Sequence, residues 1–453
     1  MPFPRTPWLV LWFPALLAAQ RPAGTTPATA AAAALAAERQ QVAAGLWAEA
    51  RYNYAYWDAV RANWDSAFAA TTSYIAGRPA PTDVQFVRRL RRWGALLNDG
   101  QFELFPPGPM AGKVARPPLA LKSIERRAFI MDYATNDEMR VARPERLAEI
   151  LAIQGIPAAD WIRDSVLPEI PAGTELNRWE RAVVRMLEGE RGTALHLLLR
   201  LPGGAERGAS VTRSVPNNAR WPLETPALEA DTLPDGAIWV RINSFADDEV
   251  SEKFARALGE AAREGPRHRG LIVDLRETTW TPGGREHGYA ILGRLIDKPI
   301  LTSRWRTPQY RPAYRGADSP DSAGAWLQAP SDTIWPSTRR EGTAYSGPVA
   351  VLVSARTAGP AEDFLVAFRA GHRGPLIGEA SAGSTGQTTT VPLPASWQLR
   401  VTVTRDAFPD GREFMRTGIE PDIRVDVHVD DVLAGRDAVL ERARAYLTEL
   451  ARR

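Results

Sequence analysis

From residue 236 onward, short apolar runs alternate with segments of helical spacing, and this alternation limits the chain's folds more than any other feature. Ile238–Ile242 reads as a strand and Glu249–Arg263 as a helix. Leu271–Leu275 is a strand of the fully buried type, and Gly288–Ile296 is helical. Val349–Val353, the helix Pro360–Ala370 and a short strand Leu376–Gly378 continue the series. Strands at Thr388–Leu393 and Leu399–Thr404 follow, and a helix Asp437–Leu450 closes the chain. Such alternation calls for crossover connections and so predicts an α/β domain over 236–453 with a mostly parallel sheet. A Pro- and Trp-containing insertion, about 303–346, lacks periodicity and is the kind of segment that lines binding sites.

The preceding residues have a different grammar. In 35–115, Leu46, Trp47, Ala50, Tyr54 and Trp57 recur at three- and four-residue spacing, as do Phe86, Leu90, Trp93 and Leu97. Pro79 and Pro81 separate the two sets. The region predicts a helical domain that closes with the turn Asn98-Asp99-Gly100-Gln101 and an extended Phe102–Phe105. Residues 116–213 predict a small α+β module, with strands at 119–121, 128–131, 148–153 and 194–199 and a helix at Trp179–Leu187. Pro, Gly and polar residues dominate 202–235, and we place a linker at 214–235.

Residues 1–19 run from Arg5 into an apolar stretch, Trp8 to Ala19, too short to span a bilayer and ending in small residues. They predict a secretory signal, followed by a flexible leader over 20–34, and so a periplasmic or extracellular protein that needs no membrane association once the signal is removed. The chain has no cysteine, which removes disulfides and thiolate chemistry. Its 56 basic residues barely exceed its 53 acidic ones, and lysine occurs only at Lys113, Lys122, Lys253 and Lys298. No basic block points to nucleic acid. His196, His268, His287, His372 and His428 are scattered, so neither a metal nor another cofactor is expected.

Within the α/β region the motifs become specific. They are Gly270-Leu-Ile-Val-Asp274-Leu-Arg276 with Pro282-Gly283-Gly284, and Tyr345-Ser-Gly-Pro-Val-Ala-Val-Leu-Val-Ser354 running into Thr357-Ala-Gly-Pro-Ala-Glu362-Asp363-Phe364. Ile377-Gly-Glu379, Gly383-Ser384-Thr385-Gly386 and Gly418-Ile419-Glu-Pro421-Asp422-Ile423 complete them. In this order they resemble the tail-specific (C-terminal-processing) serine peptidase family, and the helical domain ending in an Asp-Gly turn, followed by the small α+β module, is similar to its tricorn-core-like branch. The resemblance implies a multidomain fold: the helical N-terminal domain, a PDZ-like module over 116–213, and an α/β peptidase domain of the ClpP/crotonase-like type. It also implies polypeptide substrates or peptide C-termini as partners; the oligomeric state is not legible.

The same resemblance implies a serine nucleophile three residues before Glu362, at a helix N-terminus where the dipole favours negative charge. That position is Gly359, which has no hydroxyl. The base would be a lysine further along the chain, and none follows Lys298, or a histidine in the turn closing the helical domain, where Gln101 stands. Glutamine is no general base near neutral pH. Gly359, Pro360 and Glu362 equally describe a plain helix start. Gly283 and Gly284, with Pro360 beside them, mark the expected oxyanion and substrate-binding region; a tight turn after a strand explains the two glycines as well. Ser384 with His372 is the one pairing that would restore a hydroxyl and a base, against a simpler reading as turn residue and helix end. Asp274 and Arg276 read as a structural ion pair, while Glu413 and Glu420 are candidates for an accessory carboxylate. The expectation is an exported protein of this family, degenerate in catalysis, that binds unstructured or C-terminal peptide segments; the alternative is an active serine-type endopeptidase with a non-family nucleophile and base. A weaker third reading gives Trp305, Trp326 and Trp335 an apolar ligand.

Overall fold

A computed structural model describes residues 27–217, 219, 225–263, 270–279, 283–309, 326–337 and 345–452. The signal segment, Pro282 and the middle of the late insertion lie outside these residues.

Three helices open the chain, Pro27–Asn53, Trp64–Ile75 and Asp83–Gly94. Asn63 caps the second through the Ser66 N–H, and Thr82 and Gln85 form a reciprocal capping box on the third. Leu46, Phe86, Leu90 and Trp93 bury their side chains together as the spacing predicts, but they do not close a core alone. A hairpin, Thr388–Leu393 with Trp397–Thr402, completes it by contributing Trp397, Leu399 and Val401. The strand Glu103–Phe105 adds antiparallel to that hairpin. Sequence-distant segments therefore share one core, and the turn Asn98–Gln101 is held at their junction.

The middle region is an antiparallel sheet in the order Leu119–Ile124, Arg127–Tyr133, Glu149–Ile153, Ala194–Arg200, Glu206–Thr212. Ala194–Arg200 alternates exposed and buried residues along its length, the mark of a sheet with one wet face. The helix Glu175–Arg185, capped by Thr174, packs Ala182 and Val183 onto the dry face. The stretch read as a linker is corrected in part. Val215–Pro216 pairs with Val114–Arg116, and Leu228–Thr232 pairs with Ala237–Ile242. Leu228–Thr232 is polar and largely exposed because it is an edge strand, which is why composition hid it.

The C-terminal sheet runs Leu228–Thr232, Ala237–Ile242, Gly270–Asp274, Val349–Val353, Leu376–Gly378, Ile423–Arg424, parallel from the second strand onward. Both faces are covered, so these strands are apolar without alternation. Leu271, Val273 and Val351 pack toward Phe245, Phe364 and Phe368, whereas Ile272, Ala350 and Leu352 meet Val439, Ala443 and Leu447 of the helix Ala438–Leu450. Arg276 binds Asp274 through two nitrogens, at 2.9 and 2.7 Å, and reaches Asp437, which also caps that helix. The expected ion pair is thus a buried clamp between sheet and helix. The insertion is less irregular than its sequence reads, since Arg304–Pro308 pairs with both Trp326–Ala329 and Arg405–Ala407. Trp326 lies under the guanidinium groups of Arg306 and Arg405, which favours anchoring over ligand capture for that ring.

Candidate functional site

The strand Val349–Val353 ends at Ser354, and the loop to the helix Pro360–Ala370 is pinned against the neighbouring strand end. Ser354 Oγ donates to the Arg276 carbonyl at 2.7 Å and Thr357 Oγ1 to that of Leu275 at 2.9 Å. Ala358 N–H donates to Thr278 O, which joins this loop to the one leading to Gly283. The helix then starts at Gly359, whose φ of 61° and ψ of −123° lie where a side chain is strained. Glycine avoids that strain and offers no hydroxyl. Pro360 follows at the first helical position, so the N–H that would point out of the helix start there is missing.

Glu362 is wholly buried beneath this helix start. Its carboxylate accepts from Ser381 Oγ at 2.5 Å and from the backbone N–H groups of Gly383 and Ser384 at 2.8 and 2.9 Å. Burial pushes its carboxyl up to about 7 against the pull of those three donors. It fastens the 381–384 loop to the helix, and the loop returns the bond when Gly359 N–H donates to Ser384 O at 3.1 Å.

Ser384 faces the turn at the end of the helical domain. A β-carbon on Gly100 would stand 2.2 Å from Ser384 Oγ, so only glycine permits this approach. Gln101 is buried next to it, and its side-chain amide donates to Gly386 O at 3.1 Å. Asp99 shapes the turn by accepting from Gln101 N–H and Thr402 Oγ1, with burial raising its carboxyl above the ordinary range. The fold thus brings Gly359, Ser384 and Gln101 to one place. It does not bring His372 there. His372 follows the far end of Pro360–Ala370, roughly 16 Å along the helix axis, in a left-handed backbone conformation. Gly283 and Gly284 start the helix Arg285–Gly293 at the same end of the sheet. Glu413 instead pairs with Arg306 at 2.6 Å, and Glu420 lends only its carbonyl, to Arg369.

A cavity of about 340 Å³ opens beside Ser384, walled by Gly100, Asn177, Glu180, Arg181, Ala358 and Arg400. Arg181 donates to the carbonyls of Gly100 and Pro171 at 2.9 and 2.5 Å. Burial lowers its guanidinium to about 10 and raises the Glu180 carboxyl to about 7.

Compared with known families, residues 238–425 match the description peptidase family S41. The chain carries an S41 peptidase domain. This is the tail-specific family that its motif series resembles. By structure, the chain is similar to mature CPAF complexed with lactacystin, at TM-score 0.71 and 16% identity over 92% of this chain and 99% of that one. It is likewise similar to mature CPAF, at 0.68 and 16% over 92% and 97%. The photosystem II D1 C-terminal processing protease gives 0.49 and 18% over 88% and 98%, too loose to bear on the reading. At such identities the likeness is one of fold. None of the curated proteins searched matches by sequence.

Around the S41 domain's helix start, the motif register pointed to Gly359 and Glu362, and the turn closing the helical domain pointed to Gln101. Both missed Asn177, Glu180 and Arg181, which the middle region contributes. Their signal was present: they recur at helical spacing on one face of Glu175–Arg185, a face that carries polar groups into the interior.

Proposed function

We propose that this S41-domain protein binds extended polypeptide segments and does not hydrolyse them. The observation that carries the reading is Gly359 at the buried helix start, three residues before Glu362, where the family's chemistry needs a hydroxyl. Gln101 supports it, since its amide is committed to a backbone carbonyl and cannot accept a proton near neutral pH. A serine hydrolase without nucleophile and base keeps only the residual effect of oxyanion stabilisation and binding. We read 116–213 as a PDZ-like module that could add an extended peptide to a sheet edge, residues 1–19 as an export signal, and the mature protein as periplasmic or extracellular. Gly283 and Gly284 would orient a peptide carbonyl; Pro360 contributes no N–H to that task.

One observation favours a second reading. Among the described residues Ser384 Oγ has no hydrogen-bond partner, and it is buried at the border of the cavity, as a replacement nucleophile would be. In that case the chain is an active endopeptidase with a non-family base. The test is fluorescence anisotropy of a labelled unfolded polypeptide, followed by intact mass of the recovered probe. Binding with unchanged mass supports the first reading. Fragments produced by wild type and lost in Ser384→Ala would replace it with the second.

A further inference from the structure

The cavity beside Ser384 is built from three parts of the chain. Gly100 and Glu103 come from the end of the helical domain, Asn177 to Arg185 from one helix, and Ala358, Ser384 and Arg400 from the C-terminal half. Its volume, about 340 Å³, is at the small end of ligand pockets. Its polar groups have a marked bias toward donors. Ser384 is only 2% exposed, yet among the described residues its hydroxyl has no partner, a state that costs free energy unless something in the cavity accepts from it. Asn177 has already spent its amide on Ala355 O at 2.8 Å.

The charges have the same bias. Arg400 is balanced by Glu103 at 2.8 Å, Arg356 by Glu277 at 3.1 Å and Arg185 by Glu188 at 3.3 Å. Arg181 differs. Among the described residues it touches backbone carbonyls and has no carboxylate within ion-pair distance. Glu180 lines the same wall, but one of its oxygens, Oε2, is buried without a partner among the described residues, and burial raises its carboxyl to about 7, where the neutral form is well populated at neutral pH. A protonated Glu180 neutralises nothing and is itself a donor. Among the described residues, the cavity therefore presents a guanidinium with no carboxylate in ion-pair contact and a hydroxyl with no acceptor, a setting that suits a small, flat, anionic acceptor.

We propose that this cavity binds a carboxylate group, held by Arg181 and Ser384 where the family's reaction centre would otherwise be. The carboxylate comes from the end of a bound peptide or from a free small acid. The peptide source rests on the reading of the chain as a polypeptide binder; the carboxylate chemistry does not.

Isothermal titration calorimetry of the mature chain tests it with N-acetyl-trialanine as the free acid, the same peptide as its C-terminal amide, and sodium acetate. The free acid is expected to bind at least about tenfold more tightly than the amide. Ser384→Ala, which removes an unpartnered hydroxyl and should fold, is expected to weaken the acid several-fold and leave the amide unchanged; Arg181→Met weakens the acid further where its thermal unfolding matches wild type. Acetate that competes as well as the peptide acid assigns the site to small acids. Equal binding of acid and amide overturns the carboxylate proposal while leaving peptide binding intact. No heat from acid, amide or acetate at millimolar concentration also overturns it. If the unfolded polypeptide then fails to bind as well, the functional reading falls separately.

Discussion

Gly359 and Ser384 are joined through the backbone, the N–H of the first donating to the carbonyl of the second at 3.1 Å. The helix start presents glycine to a loop held by Glu362 from below. At φ 61° that glycine holds a backbone conformation in which a side chain would be strained.

Restoring the hydroxyl alone should not restore chemistry. Gly359→Ser is expected to cost about 1–3 kcal/mol, because serine is strained at that φ and ψ, and to give no turnover of an unfolded polypeptide. Adding Gln101→His supplies the second missing role. Urea denaturation reads the first effect and product mass spectrometry the second. Strong cleavage by the single variant would mean that a base is already in place.

Stability should depend on pH in two opposite ways. Glu362 holds its proton to about pH 7 when folded. Folding therefore takes up a proton between its ordinary value, about 4.5, and 7, and stability falls across that window as pH rises. Glu188 has the other sign. Burial pushes it up, but Arg185 and Arg91 outweigh burial and hold it at about 2. Its contribution is present above about pH 4.5 and lost as pH falls toward 2. Urea midpoints should fall less steeply from pH 4.5 to 7 in Glu362→Gln than in wild type. They should fall less steeply from pH 4.5 down to 2 in Glu188→Gln. An unchanged slope in either variant contradicts its assignment.

Arg276→Met should be among the most damaging substitutions outside the site. Asp274 is fully buried, and without Arg276 its nearest cation is Arg241 at 3.3 Å. Removing one partner of a buried pair costs about 3–5 kcal/mol. Thermal unfolding should show the loss, and a change under 1 kcal/mol would mean Arg241 suffices.

Trp397→Ala should loosen the N-terminal helices although it lies far from them in sequence. Its ring is 1% exposed and meets Phe86 edge-on at 5.6 Å. The expected cost is about 3–5 kcal/mol, with helical signal and tertiary signal lost in one transition. An early, separate loss of the helices would show that their core closes without the hairpin.

Much of this fold was written locally. The helix Pro360–Ala370 and the strand Val349–Val353 were readable because buried elements have continuous apolar patterns and clear stops. Gly359 and Gln101 were singled out in the sequence too, the first from its place in the motif series and the second from the turn that closes the helical domain. Other features exist only after folding. Trp397 gives no hint in sequence that it belongs with Phe86, and Leu228–Thr232 looks like linker because an edge strand needs few apolar residues. Ser384 could be read as a turn residue, but nothing in sequence tells that its hydroxyl faces a cavity beside Arg181.

The most direct measurement is cleavage of an unfolded polypeptide by the purified protein, with products read by mass spectrometry and Ser384→Ala and His372→Ala beside it. The account predicts no fragments above the enzyme-free control in any of the three. Fragments that persist through purification and vanish in one variant would contradict it and identify a rewired hydrolase.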